Sequence, residues 1–398
     1  MSGVTSQLGR IGRGGALTWA ALTGAGCGGG GSSDATSPAP TELTVVAGGN
    51  NVDDRYGSDL WVHGSFAYTG TWGGFSRNGV PGNVVKIWSL GSSGAPSLLD
   101  SLLVPEISTV SDLQVSDDGA LLVLSTERGT NAGLHVYDLT DPRHPAFLDS
   151  ALVSSGIHTA TVAEINARRY VFGARNPADP ALLIYDITTP TAIALVASVP
   201  IPPDYGIHDT YVRDGIAFVF AWNSGVLIYD VGNGMAGGSP VAPVQISGLV
   251  TDANAVAGGP SVHNGWWFHN PVTQENRYLF IGQEGSGVLG SKSSGDIHVV
   301  DVSNLAGPRE VAFFHLSGAG THNFWMDEPR QILYAAYYNA GVVALDVSGT
   351  LSGDLSDRLI SRVQPGGPGN TYTWGVQLAN GRLYAVDMLS GFWQLGVP

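Results

Sequence analysis

The stretch that decides the fold is Gly133-Leu134-His135-Val136-Tyr137-Asp138-Leu139-Thr140-Asp141-Pro142. A small residue opens it, an apolar strand follows, and Asp with another apolar residue closes it. The phrase returns at residues 84–90, 181–187, 225–231, 296–302 and 341–347, and in worn form at 391–397. Counted from Ser89 through Asp138, Asp186, Asp230, Asp301 and Asp346 to Gly396, the steps are 49, 48, 44, 71, 45 and 50 residues. A period of roughly 40 to 50 residues made only of strands marks a radial array of four-stranded blades. The expected fold is all-β: a seven-bladed β-propeller of four-stranded antiparallel blades.

Each unit supplies the strands this requires. Around the quoted phrase, residues 112–115 read as a first strand, Asp117-Asp118-Gly119 as a turn, 121–124 as a second strand and 146–152 as a fourth. His63-Gly64, Asp214-Gly215 and Asn380-Gly381 join first and second strands elsewhere, with glycine supplying the positive φ of a hairpin turn. Proline in Asp141-Pro142-Arg143-His144-Pro145 and in Thr188-Thr189-Pro190 fixes the turn into the fourth strand. The seventh unit reaches Pro398 directly after its third strand, whereas residues 39–47 read like a fourth strand. Residues 43–46 are therefore expected to complete the last blade as an N-terminal strand, removing an edge that would invite aggregation.

The phrases resemble the LVIVD repeat of exported bacterial and archaeal surface proteins, most closely at residues 133–142, 182–187, 227–231 and 297–303. The resemblance covers roughly residues 55 to 398 and implies a β-propeller; it carries no settled activity. The N-terminal segment is similar to that of a bacterial lipoprotein. Arg10 and Arg13 precede a weakly apolar stretch at 16–22, and Cys27, the sole cysteine, is followed by Gly28 to Gly31, Ser32 and Ser33. Gly24 departs from the leucine expected three residues before the cysteine. The organisation expected is an export signal over 1–27 ending at a lipidated Cys27, a Gly/Ser/Pro-rich tether over 28–40, and the propeller over 41–398. The alternative for the leader is a Gly-rich segment whose cysteine does nothing.

Of the 398 residues, 43% are hydrophobic and 13% charged, with Gly 56, Pro 22 and a net charge of −15. This is a turn-rich globular composition. With 18 basic residues spread thinly, nothing in the sequence follows a phosphate backbone, so nucleic acid is excluded as a partner. No apolar run reaches the length of a spanning helix, which leaves a lipid anchor as the only expected membrane contact.

Four successive units begin their innermost strand with histidine: His158-Thr159, His208-Asp209, His263-Asn264 and His322-Asn323. The other three begin with Ser58-Asp59, Ser111-Asp112 and Trp374-Gly375. Equivalent positions of a propeller lie near the mouth of its central channel, so His158, His208, His263 and His322 form a candidate metal site. Imidazole suits Zn, Cu or Fe, and His269 or His63 are further candidates. Propeller oxygenases hold iron in a similar ring, a likeness of geometry alone. The structural alternative is that the repeated His-Asp or His-Asn bridges neighbouring blades, with Asp or Asn capping the turn. This role is the more economical, and a general base or a pH-sensitive contact is a third.

Loops entering the first strand and loops between second and third strands share one face. The candidate ligand-binding residues there are Trp72, Glu127, Arg128, Arg175, Trp222, Asn223, Glu284, Tyr337 and Tyr338, a mixture suited to a peptide or glycan. Glu127-Arg128 reads as a loop ion pair, and Trp266, Trp267 and Trp325 as core. Nucleophile elbows, zinc-protease motifs, phosphate loops and calcium loops are all absent from the sequence. The reading is a monomeric, exported, lipid-anchored binding or scaffold module of the cell envelope, with an envelope protein, peptide or glycan as partner and no assigned catalysis. The runner-up is a metalloprotein, an oxidoreductase or hydrolase, using the histidines. A purely architectural surface protein is the third.

Overall fold

An apolar phrase with no polar face must be covered on both sides, and the fold provides this by standing the blades face to face. The computed structural model describes residues 41–49, 54–74, 77–176, 179–203, 206–252 and 259–398. The expected export segment, Cys27 and the tether lie outside them. Blade 1 comprises Tyr56–His63, Phe66–Trp72, Val84–Leu90 and Pro96–Leu103, and blade 2 Thr109–Val115, Leu121–Glu127, Gly133–Asp138 and Ala146–Leu152. Blade 3 is Ala160–Ile165, Arg168–Arg175, Ala181–Asp186 and Ala194–Pro200; blade 4 is Asp209–Arg213, Ile216–Phe220, Val226–Asp230 and Val244–Leu249. Blade 5 holds Val262–Asn270, Glu275–Gln283, Ile297–Asp301 and Arg309–Phe314, and a short fifth strand, Gly353–Asp354, pairs parallel with its rim. Blade 6 holds Phe324–Asp327, Ile332–Ala336, Val342–Asp346 and Leu359–Val363. Blade 7 takes Thr373–Ala379, Arg382–Asp387 and Gly391–Gly396 from one part of the chain and Thr44–Gly48 from the other. No helix among the described residues is long and apolar enough to cross a membrane.

Alternation does the packing. In blade 2, Leu122 and Leu124 face blade 1, against Tyr68, Val85 and Ile87. Their neighbours Leu121 and Val123 face blade 3, against Val171, Leu183 and Tyr185. Both sets are buried, and each such side chain contributes about 1.5–3 kcal/mol.

The rim is managed differently. In all seven blades the pairing of the third strand with the outer strand slips by one residue at the same place, for example between Val136 and Tyr137, Ile228 and Tyr229, and Val45 and Ala47. A bulge there twists the exposed edge and spoils it as a template for another chain.

The ring closes as expected. Thr44 pairs with Gly396, Val45 with Leu395 and Gly48 with Trp393, while buried Leu43 donates its N–H to Ser361 Oγ at 2.7 Å. Gly48 has φ +119°, and a Cβ there would lie 2.4 Å from the Phe392 carbonyl oxygen, so only glycine fits. Two of the predicted turns are present as read, Asp214 and Gly215 with φ of 51° and 71° and Asn380 and Gly381 with 52° and 71°; the third falls one residue later, at Gly64-Ser65, because His63 stays in the strand paired with Phe66. Two successive positive values make the hairpin type whose twist matches the strands.

Candidate functional site

At the entrance of the innermost strand the backbone repeats itself. His158, His208 and His322 donate their N–H groups to the carbonyls of Ala174, Phe220 and Ala336, each at 2.8 Å. His263 sits in a bulge between Val262 and Asn264, as Ser111 does between Val110 and Asp112 and Trp374 between Thr373 and Gly375. The side chains one and three residues further along then point into the channel, because strand side chains alternate. The channel thus carries an entrance tier of Ser58, Ser111, four histidines and Trp374, then Asp59, Asp112, Asp209, Asn264 and Asn323, and deeper Trp61, Tyr211, Trp266 and Trp325.

The four histidines converge. Ring centroids are 4.2 Å apart for His158 and His208, 3.8 Å for His208 and His263, and 4.2 Å for His263 and His322. The arc continues to Trp374, 4.2 Å from His322. Each imidazole has a distinct state. His158 Nδ1 donates to Glu127 Oε1 at 2.9 Å, and Ser111 Oγ donates to Glu127 Oε2 at 2.9 Å. Burial opposes charge on both partners, but His158, Ser111 and Arg128 hold the Glu127 carboxyl below its usual range. Against its own burial, the carboxylates of Glu127, Glu284 and Asp209 raise His158. With His158 protonated the two form an ion pair, half-buried at the channel mouth.

His158 Nε2 lies 2.8 Å from His208 Nε2. A charged His158 donates there, so His208 accepts on Nε2 and carries its own proton on Nδ1, which has no partner. His208 is driven well below its ordinary value by burial and then by the other three imidazoles. His322 is lowered by burial and His263, and donates from Nδ1 to the Trp374 carbonyl at 2.7 Å. His263 is 1% exposed, no hydrogen bond of good geometry reaches either ring nitrogen, and burial, opposed by the adjoining Asn264 side chain, lowers it to about 3.

Glu284 completes the group. Its Oε2 lies 3.7 Å from His263 Nε2 and 3.9 Å from His208 Nε2, and its Oε1 accepts from the Tyr338 hydroxyl. Burial raises this carboxyl although Tyr338 and His158 pull it down. Ligand atoms of His208, His263 and Glu284 all lie within 4.8 Å of one another. Two neutral imidazoles and a carboxylate facing one another at this spacing are what a divalent transition metal takes. A tetrahedral ion with bonds near 2.0–2.1 Å sets its ligands roughly 3.3 Å apart, so the group must contract, and His208 Nε2 can coordinate only once its hydrogen bond from His158 is broken.

The loops over this cluster are strained. Arg128, Trp222 and Tyr338 have φ of 57°, 51° and 40°, left-handed values that cost a bulky residue on the order of 1–3 kcal/mol. Trp222 stacks on His208 at 5.1 Å and 17°, and Tyr338 lies 5.0 Å from His322. Beyond them Tyr372, Trp72 and Trp374 form an aromatic margin.

Several expectations need correction. Glu127 pairs with His158 and not with Arg128. Tyr337 is off the binding face: it is fully buried, and its hydroxyl donates to the Gly295 carbonyl at 3.2 Å. Arg175 and Asn223 hold loops together, Arg175 Nε donating to the Asp179 carbonyl at 2.8 Å and Asn223 accepting from Ser261 N at 3.2 Å. His269 lies against Asp214 and His63 against Gly119, both at the opposite end of the channel, so neither joins the cluster. Trp267 is core, but Trp266 and Trp325 line the channel. The expected inter-blade role is present as well: His158 joins blade 3 to Glu127 of blade 2 and to His208 of blade 4, and His322 joins blade 6 to the Trp374 carbonyl of blade 7, beside bridges made by other groups. Asp112 Oδ2 accepts from Ala160 N at 2.8 Å, Gln114 Oε1 from Val162 N at 2.7 Å and Gln377 Oε1 from Val62 N at 2.5 Å.

Fold and ring closure together define a seven-bladed β-propeller. No protein family matches the chain, and no curated protein matches it. Among solved structures it is similar to the Myceliophteria thermophila Cps50 (Swd1) beta-propeller domain, with 13% identity, 88% of this chain and 99% of that one covered, and a TM-score of 0.58. It is also similar to Sqt1 from Chaetomium thermophilum, with 12% identity, 85% and 83% covered and a TM-score of 0.55. These likenesses concern the fold alone.

Proposed function

We propose that this propeller is a metal-binding module in which His208, His263 and Glu284 hold one divalent transition-metal ion, Zn, Cu or Fe, at the mouth of the central channel. The observation that carries the reading is His263: a nearly fully buried imidazole with no hydrogen bond of good geometry at either nitrogen, beside a second neutral imidazole and a carboxylate. Leaving buried polar atoms unpaired costs about 1–3 kcal/mol each, a cost that coordination removes at the one nitrogen that carries the lone pair. His158 with Glu127, and Tyr338 on Glu284, act behind the ligands by fixing their orientation and charge. The metal and the aromatic margin then form a surface for an envelope protein, peptide or glycan.

Metal analysis of the purified protein tests this. One equivalent of Zn, Cu or Fe is expected, falling to background in a His208→Ala, His263→Ala double variant whose circular dichroism is unchanged. Protein that stays empty after dialysis against each ion in turn contradicts the reading.

The cell-envelope placement rests on the leader, with Arg10, Arg13, the apolar stretch at 16–22 and the sole Cys27 before a glycine run. Labelling with a fatty-acid analogue in a bacterial host is expected to mark the wild type and not Cys27→Ser. Equal labelling of both, or of neither, removes the anchor.

A further inference from the structure

Below the histidines the channel widens into a cavity of about 400 Å³, within the size range of small-molecule sites. It runs from Asp59, Asp112 and Asp209 at the inner end to the turns at Asp117 and Asp214 on the opposite face; the histidines do not line it.

Two features set its chemistry. The first is an aromatic wall. Tyr211 and Trp266 have centroids 5.3 Å apart, Trp266 and Trp325 5.2 Å, and Trp325 and Trp61 5.9 Å. These rings occupy the same tier of blades 4, 5, 6 and 1, and the last contact passes over blade 7, whose inner strand lines the cavity with Val376 and Gln377. The second is charge. Six acidic side chains line the cavity against one guanidinium, Arg213, which is already held by both oxygens of Glu328 at 2.5 and 3.2 Å; burial and the neighbouring Asp112 push Asp59 well above its ordinary value and Asp209 up to about 7, a cost that a cation set between them offsets. At the inner end stands Asn264, 3% exposed, its side-chain oxygen packed against Gly282. Aromatic faces and carboxylates attract the same ligand, a cation with an apolar surface.

We propose that this cavity binds a small organic ammonium ion, its charge set against Asp59, Asp112 and Asp209 and its carbon substituents against Trp61, Trp266 and Trp325. The carboxylates neutralise the charge, and the indole faces take up methyl groups that water solvates poorly. A hydrated inorganic ion has no use for that wall. The site does not depend on a metal at the histidines.

The test titrates the full-length purified protein with choline, followed by tryptophan fluorescence and calorimetry, beside its neutral isostere 3,3-dimethyl-1-butanol. Saturable choline binding is expected, with the isostere at least tenfold weaker. Asp59→Asn with Asp112→Asn should weaken choline at least tenfold, and Trp325→Leu severalfold. The His208→Ala, His263→Ala variant should bind choline within about twofold of wild type, which separates this site from the metal site. The proposal falls if choline gives no saturation up to about 10 mM or if the isostere binds equally well. It falls too if calcium displaces choline at equal or lower concentration, since that marks an inorganic-ion site. The isostere and calcium comparisons use wild-type protein, so they decide the matter even if the aspartate variant fails to fold.

Discussion

Blades 3 to 6 place imidazole where blades 1 and 2 place a serine hydroxyl, at the same bend of the same strand. The serines are fully satisfied: Ser58 Oγ donates to the Val110 carbonyl at 2.6 Å, and Ser111 Oγ to Glu127. Those two blades pack and close as well as the others. The position therefore needs only a small donor to join one blade to the next. Four histidines in sequence exceed that requirement, and two of them, His208 and His263, leave buried nitrogens without a hydrogen bond of good geometry. A part of the fold that carries more polarity than its packing uses, and satisfies it less well, is where binding belongs. The repeated aspartate of the phrase shows the opposite case. Asp138, Asp186, Asp301 and Asp346 each accept the N–H two residues ahead, capping the turn to the outer strand, and nothing is left over.

The strongest challenge to this contrast is to break what both halves share. Removing residues 41–48 strips the outer strand from blade 7, and is expected to abolish cooperative urea unfolding and give aggregates on size-exclusion chromatography. Leu43→Ala alone should cost about 2–5 kcal/mol. Next in size is Tyr338→Phe, which leaves Glu284 without its donor; metal affinity by calorimetry should fall about 10–100-fold with stability little changed.

A smaller effect sharpens the structural side. Burial works against the charge of Asp230, but N–H groups of Gly232, Gly234, Ala236 and Gly238 hold its carboxyl at about 2. A carboxyl depressed in the folded state stabilises above its unfolded value of 3.8 and loses that contribution as pH falls toward 2. Asp230→Asn should thus lower the urea midpoint at pH 7, and the gap from wild type should close between pH 4 and pH 2 (about two units). The smallest change expected is the most telling. His208→Ser copies blades 1 and 2 into blade 4, and metal-free protein should keep its stability within about 1 kcal/mol. A larger loss would mean that the histidines serve ring closure after all.

Much of this was legible in the sequence because a propeller is periodic. The phrase fixed the third strand of every blade, and aligning on it placed four histidines at one level although about fifty residues separate them. The closing strand was legible because a blade lacking its outer strand needs one. What escaped notice depended on direction within a strand. Trp266 and Trp267 are adjacent, yet one faces the channel and the other the neighbouring blade, which apolarity alone does not distinguish. Glu127 has Arg128 beside it in sequence, but neighbouring residues of a chain turn apart, and its partner lies across the blade interface at His158. Tyr337 and Tyr338 show the same effect, one sealed in the core and one over the histidines. The slip in every outer strand left no mark, since it depends on pairing and not on residue type.

Anomalous diffraction from crystals of the protein as purified tests the central claim most directly. A single metal peak bonded to His208, His263 and Glu284, with His158 still on Glu127, is the expected result. Density showing those imidazoles turned to other partners, or a metal bound elsewhere in the chain, would contradict it.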